Sequence, residues 1–111
     1  VMPFVSPAVN GVVIWRSGEA RKYYETNVEN LKSAVKDSLK QLNIPITSEN
    51  KYGKKGYRMI AGENTRFKIK VLHNDGNVSC VKIRINILGD QNYAELIYKN
   101  IDKNLLVKRF N

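Results

Sequence analysis

Some residue types are scarce in this chain of 111 residues, and each scarcity excludes a kind of site. A single cysteine, Cys80, can form neither an internal disulfide nor a zinc site built on cysteines. A single histidine, His73, has no carboxylates or cysteines around it at metal-ligand spacing. No apolar run approaches the roughly 20 residues of a membrane-spanning helix. We therefore expect no metal, no cofactor and no membrane span in this chain.

Acidic residues are also few. The chain has 10 Asp and Glu against 19 Lys and Arg, which gives a net charge of +9. The acids are scattered and form no recognisable pair, and the run 53–56 is too short for a phosphate-binding loop. The basic excess favours an anionic partner, such as nucleic acid, lipid headgroups, or an acidic polysaccharide or protein. A basic composition that serves only solubility is the alternative.

The length fits one domain. Residues 1–14 are apolar and uncharged and contain two prolines, so we interpret them as a spacer. Residues 15–111 would form the folded domain.

Two helices are predicted. Thr26 and Glu29 have capping-box spacing at the start of the first helix, and Pro45 lies just beyond its end. Between them, apolar residues recur at steps of three and four. Asp90 would cap the second helix, which begins after Gly89.

The remaining segments favour strands. Residues 15–25 are interpreted as one strand with Gly18 as a bulge or bend, and 46–52 and 57–61 as short strands. Residues 67–71 and 81–87 alternate apolar and polar around an Asn-Asp-Gly-Asn turn, which predicts an antiparallel hairpin. The fold class is therefore α+β, a largely antiparallel sheet of about four strands with two helices packed on one face.

The outward side of this hairpin is the candidate anion-binding face. Like charges that face each other on a sheet are destabilising, which suggests that the cations serve binding. Protection against edge-to-edge aggregation is the alternative. The predicted face consists of Arg66, Lys68, Lys70, Lys82 and Arg84.

Tyrosines suggest a second site. They are expected at the junction of helices and sheet, where imperfect packing could leave a small apolar cavity for a ligand. The candidates are Tyr24, Tyr57, Tyr93 and Tyr98. The hairpin itself carries no outward aromatic, since Phe67 points into the core, and this disfavours an RNA-recognition sheet.

No catalytic residue is predicted, and we expect the chain not to be an enzyme. One arrangement stays open, because Cys80 and His73 could approach each other across the hairpin turn.

Three segments carry a resemblance to a known family. They are the strand ending in Ser-Gly-Glu-Ala at 17–20, the helix end at 39–47, and residues 81–85 running on into 87–90. In this order and spacing, the chain resembles a family of small Gram-negative bacterial lipoproteins classed as a domain of unknown function, especially its Francisella-type members.

The resemblance implies an antiparallel sheet with two helices and a precursor with a lipid-modified cysteine near its mature N-terminus. This chain lacks that cysteine, so we expect the anchor upstream of Val1. We therefore expect a membrane-anchored domain on the periplasmic side of the cell envelope, with a role in virulence. It would bind an anionic envelope component, a small apolar ligand or an envelope protein. The alternative is a cytosolic nucleic-acid-binding module.

Overall fold

The computed structural model describes residues 11–110, with side chains as far as Val107. Residues 1–10 of the predicted spacer lie outside this range. The helices are α1 (Val28–Gln41) and α2 (Gln91–Phe110). The strands are β1 (Ile14–Arg16), β2 (Glu19–Tyr24), β3 (Ile46–Lys51), β4 (Gly56–Ala61), β5 (Phe67–Asp75) and β6 (Val78–Ile85).

All six strands form one antiparallel sheet in the order β1-β2-β6-β5-β4-β3. The α+β class and the two helices agree with the prediction, but the expected count of about four strands is wrong. One reason is the segment 15–25, which is a hairpin rather than a single strand. Ser17 and Gly18 have φ angles of 52° and 79°, as the two central residues of a tight hairpin turn require.

The predicted central hairpin is confirmed, except that its second strand ends at Ile85, so Ile87 lies beyond the strand instead of within it. In β5 and β6, Ile69 faces Ile83 and Val71 faces Val81, and the turn follows Asp75. Gly76 has a φ of 54°, which the turn needs and glycine adopts without cost. The side chains of alternate residues therefore point to opposite faces of the sheet.

Helix α1 begins one residue later than the capping-box spacing predicts. Its N-cap is Asn27, whose Oδ1 accepts a hydrogen bond from the backbone N–H of Asn30 at 2.7 Å. Thr26 instead offers its carbonyl to the hydroxyl of Ser79, at 2.8 Å. Glu29 is then free of a capping role and binds Tyr57.

Helix α2 begins as predicted. The Asp90 carboxylate accepts a hydrogen bond from the backbone N–H of Tyr93 at 3.0 Å. Neither helix in the described part of the chain is long and apolar enough to cross a membrane.

Both helices pack on the same face of the sheet and on each other. Their apolar stripes meet the inward residues of the strands in one core. Between the helices, Asn104 of α2 donates to the hydroxyl of Ser38 at 2.8 Å and to Gln41 at 3.1 Å. Within residues 11–110, no helix covers the opposite face of the sheet, which we call the open face.

Candidate anion-binding site

The open face is basic because of the strand period. In β5, Phe67, Ile69 and Val71 are buried in the core, so Lys68 and Lys70 point outward. In β6, the same alternation turns Lys82 and Arg84 outward.

The strand register aligns cations from four adjacent strands. Arg21 of β2 faces Lys82 of β6, which faces Lys70 of β5, which faces Arg58 of β4. Because neighbouring strands lie about 4.8 Å apart, this line is roughly 15 Å long. We call Arg21, Lys82, Lys70 and Arg58 the cation row.

A second row runs beside it. It contains Glu19 of β2, Arg84 of β6, Lys68 of β5 and Ile60 of β4, in that order. Glu19 is its single acid and pairs with Arg21 at 3.1 Å. Hydrogen bonds with Tyr23 and Glu19 raise the pKa of Arg21.

The remaining cations of the two rows have no carboxylate partner among the residues that the structure describes. Lys70 lies over the ring of Tyr52, with its Nζ 4.9 Å from the ring centroid. Two further acids pair with lysines outside these rows: Asp102 binds Lys22, and Glu49 binds Lys32 and Lys36. The open face therefore carries cations that are available to an anion.

Four of the five predicted residues share this face, and the fifth lies at its end. Arg66 precedes β5, and its backbone N–H donates to Oδ1 of Asn86 at 3.0 Å. Sequence reasoning missed Arg21 and Arg58, which come from the flanking strands. The inward Lys22 hid the alternation of β2, because a buried lysine is rare without a partner.

Aromatic side chains also reach the open face from the neighbouring segments. Tyr23 of β2 is opposite Cys80 and is about one-third exposed, and Tyr52 lies beside Lys70. The hairpin alone carries no outward aromatic, as predicted, but β2 and the residue that follows β3 each place one beside the cations.

The four candidate cavity tyrosines have separate partners. Tyr24 and Tyr98 are buried, with the hydroxyl of Tyr24 2.7 Å from Asp102 and that of Tyr98 2.8 Å from two backbone carbonyls. Tyr57 binds Glu29 at 2.6 Å, and this hydrogen bond raises its pKa. Tyr93 packs edge-on against a phenylalanine ring in the core. A ligand cavity bordered by these tyrosines stays a prediction.

Cys80 and His73 do not form a pair. Cys80 faces Leu72 and His73 faces Ser79, so the two side chains leave opposite faces of the sheet. Burial raises the pKa of the Cys80 thiol, which disfavours the reactive thiolate. His73 instead places Nε2 3.1 Å from the carbonyl of Gly76. Within the described residues, no group of three or more potential metal ligands occurs.

A groove of about 990 Å³ lies at the end of the open face, beyond the second row. It is lined by Arg66, Lys68, Arg84, Asn86, Ile87, Leu88 and Gly89. Cations and exposed aliphatic side chains therefore meet at one place.

These features define a small α+β domain with an uncovered, cationic sheet face. The chain belongs to the family described as Protein of unknown function (DUF3568), whose model matches residues 4–104. The predicted membership in a family of unknown function is thereby confirmed. No curated protein matches the chain.

Proposed function

We propose that this domain binds an anionic partner through the open face of its sheet. The observation that carries the proposal is the cation row, in which four positive side chains from four strands lie in register. An extended anion laid across the strands would neutralise them together. The pairing of Arg21 with Glu19 leaves three cations of that row without a carboxylate among the described residues.

Repulsion among the aligned cations also favours a bound anion. Opposite charges that face each other on a sheet contribute about 0.2–1 kcal/mol to its stability, whereas like-charge pairs in the same position are destabilising. The row contains three such pairs: Arg21–Lys82, Lys82–Lys70 and Lys70–Arg58. A bound anion would remove this cost, so the arrangement favours the complex over the free domain.

Binding to dextran sulfate, a polyanion without bases, tests the proposal. The variant Lys70→Glu/Lys82→Glu should lose affinity by about tenfold or more, and the wild-type affinity should fall steeply with salt. The matched control is Lys99→Glu/Lys103→Glu, which makes the same charge change on exposed positions of α2. If both variants lose the same affinity for dextran sulfate, binding depends only on the net charge of the domain, and the proposed site is wrong.

A role in the bacterial cell envelope belongs to the same proposal, and its support is the resemblance of residues 17–20, 39–47 and 81–90 to small Gram-negative lipoproteins. The domain would be held on the periplasmic side by a lipid anchor upstream and would bind an anionic envelope component or protein there, with a role in virulence. Intact mass and N-terminal chemistry of the protein from its native cell test this. An unmodified, cytosolic protein would contradict it.

One observation favours a second candidate, a nucleic-acid-binding module. Tyr23 and Tyr52 are exposed next to the cations, and bases stack on such rings. Tighter binding of oligothymidylate than of dextran sulfate, lost on Tyr23→Ala/Tyr52→Ala, would select this candidate. Equal affinity for both polyanions, unaffected by the tyrosine variant, would remove it.

A further inference from the structure

The loop between β6 and α2 exposes two adjacent aliphatic side chains. Ile87 and Leu88 are each 87% exposed, the largest exposures among the bulky apolar residues that the structure describes. They follow Arg84 and Ile85 at the end of β6, at the edge of the open face. Their exposure needs an explanation, because the free energy falls when an aliphatic side chain is transferred out of water.

The backbone of this loop is fixed at its first residue. Asn86 adopts a φ of 57° and forms two hydrogen bonds with the backbone of Arg66. Its N–H donates to the carbonyl at 2.7 Å, and its Oδ1 accepts from the N–H at 3.0 Å. The start of the loop is thus held against the start of β5.

The loop is also held further along. Nη1 of Arg84 donates to the carbonyl of Ile87 at 3.3 Å. Gly89 lies so close to the β1–β2 turn that a Cβ atom there would come within 2.8 Å of the Trp15 ring and would also meet the carbonyl of Gly18. Ile87 and Leu88 therefore project from an anchored backbone.

Cations surround the base of this projection. Arg66, Lys68 and Arg84 line the groove beside Ile87 and Leu88, and none of the three has a carboxylate partner among the described residues. Guanidinium groups bind phosphate oxygens with two parallel hydrogen bonds. The same end of the domain thus offers apolar groups at its tip and phosphate-binding groups behind them.

We propose that this end docks on the surface of an anionic phospholipid bilayer. Ile87 and Leu88 enter the boundary between headgroups and acyl chains, while Arg66, Lys68 and Arg84 hold headgroup phosphates. The inference rests on the proposed function, since it uses cations of the same open face. A bilayer fits better than a soluble polyanion, because a polyanion has no apolar layer to receive two projecting aliphatic side chains.

Flotation with vesicles tests the docking. Vesicles of phosphatidylcholine mixed with phosphatidylglycerol should carry the wild-type domain, whereas vesicles of phosphatidylcholine alone should not. The variant Ile87→Gln/Leu88→Gln should lose about tenfold or more in vesicle affinity. The matched control, Leu96→Gln/Leu106→Gln, removes two exposed leucines from α2 and should bind as the wild type does.

Dextran sulfate binding separates the two proposals. The loop variant should keep its wild-type affinity for dextran sulfate, which shows that it is folded and that its cations are intact. Unchanged vesicle affinity in this variant, or equal binding to both kinds of vesicle, would overturn bilayer docking and leave the proposed function standing. Loss of dextran sulfate binding by Lys70→Glu/Lys82→Glu no greater than by its control would overturn the proposed function itself. Preference for oligothymidylate over anionic vesicles would also overturn docking.

Discussion

Lys22 and Asp102 form an ion pair between β2 and α2, with Nζ and Oδ2 2.7 Å apart. Lys22 is almost completely buried, at 4% exposure, because it lies on the helix-covered face of the sheet. The other oxygen of the same carboxylate accepts a hydrogen bond from the hydroxyl of Tyr24 at 2.7 Å. One carboxylate thus satisfies two buried side chains.

Replacing Asp102 by Asn should destabilise the domain strongly. The variant leaves the Lys22 ammonium buried without a counter-charge, and we expect the free energy of unfolding to fall by about 2–4 kcal/mol. Urea denaturation at neutral pH measures the change. The double variant Lys22→Met/Asp102→Asn removes both charges and should recover much of the loss. No recovery would contradict the assignment of the cost to the unpaired lysine.

This pair also shows where sequence reasoning fails. The helix stripe and the β5–β6 hairpin could be predicted because their signals are local: apolar spacing, and an Asn-Asp-Gly-Asn turn between alternating runs. Lys22 breaks the alternation of β2, and its partner lies 80 residues further along the chain. Its inward orientation could not be inferred from neighbouring residues.

Only part of the candidate site could be predicted from the sequence, for a similar reason. Lys68, Lys70, Lys82 and Arg84 follow from the hairpin alone, since one turn fixes which side chains share a face. The continuation of the cation row into Arg21 depends on the pairing of β2 with β6, and these strands are separated by more than 50 residues. Such pairing is decided by the packing of the whole core.

Glu49 should make a pH-dependent contribution to stability. Its carboxylate lies 2.7 Å from Nζ of Lys36 and 3.6 Å from Nζ of Lys32. The hydrogen bond from Lys36 and the charges of both lysines hold its pKa below the ordinary 4.5. Since the folded pKa is lowered, this stabilisation is fully present above pH 4.5 and is lost as the pH falls through the folded value.

We therefore expect Glu49→Gln to cost about 0.5–1 kcal/mol at pH 7, with a difference from the wild type that shrinks below pH 4.5. Chemical denaturation at a series of pH values gives this profile. Glu63→Gln, an equal charge change at an exposed turn residue, is the control and should show little effect. A constant difference down to strongly acidic pH would rule out the ion pairs as its source.

Asn104 should be important for the contact between the helices. Its amide donates to Ser38 and Gln41, and its Oδ1 accepts from Nε2 of Gln41 at 3.1 Å. Asn104 is buried, so Asn104→Ala leaves a cavity and removes three hydrogen bonds. We expect the free energy of unfolding, measured by thermal or urea denaturation, to fall by about 1–3 kcal/mol.

Gln41→Ala is the comparison for Asn104. Gln41 is exposed, so water can replace the bonds that it makes, and the cost should stay below about 1 kcal/mol. Equal costs for the two variants would mean that burial of the amide is not the cause.

Lys82 should lower the stability of the domain while it strengthens anion binding. It lies between Arg21 and Lys70 in the cation row, so Lys82→Glu converts two opposed like-charge pairs into two attractive pairs. We expect the free energy of unfolding to rise by about 1 kcal/mol. Affinity for dextran sulfate should fall in the same variant. Lys103→Glu on α2, with the same change in net charge, should alter neither quantity by a comparable amount.

Salt gives an independent check of this effect on stability. Moderate salt screens repulsion between exposed charges, so it should stabilise the wild type. The difference in free energy of unfolding between the wild type and Lys82→Glu should therefore become smaller. Unfolding curves with and without added sodium chloride measure this difference. If Lys82→Glu is less stable than the wild type at low salt, the row is not under repulsion. Relief of repulsion would then no longer support an anionic partner, whatever the variant does to binding.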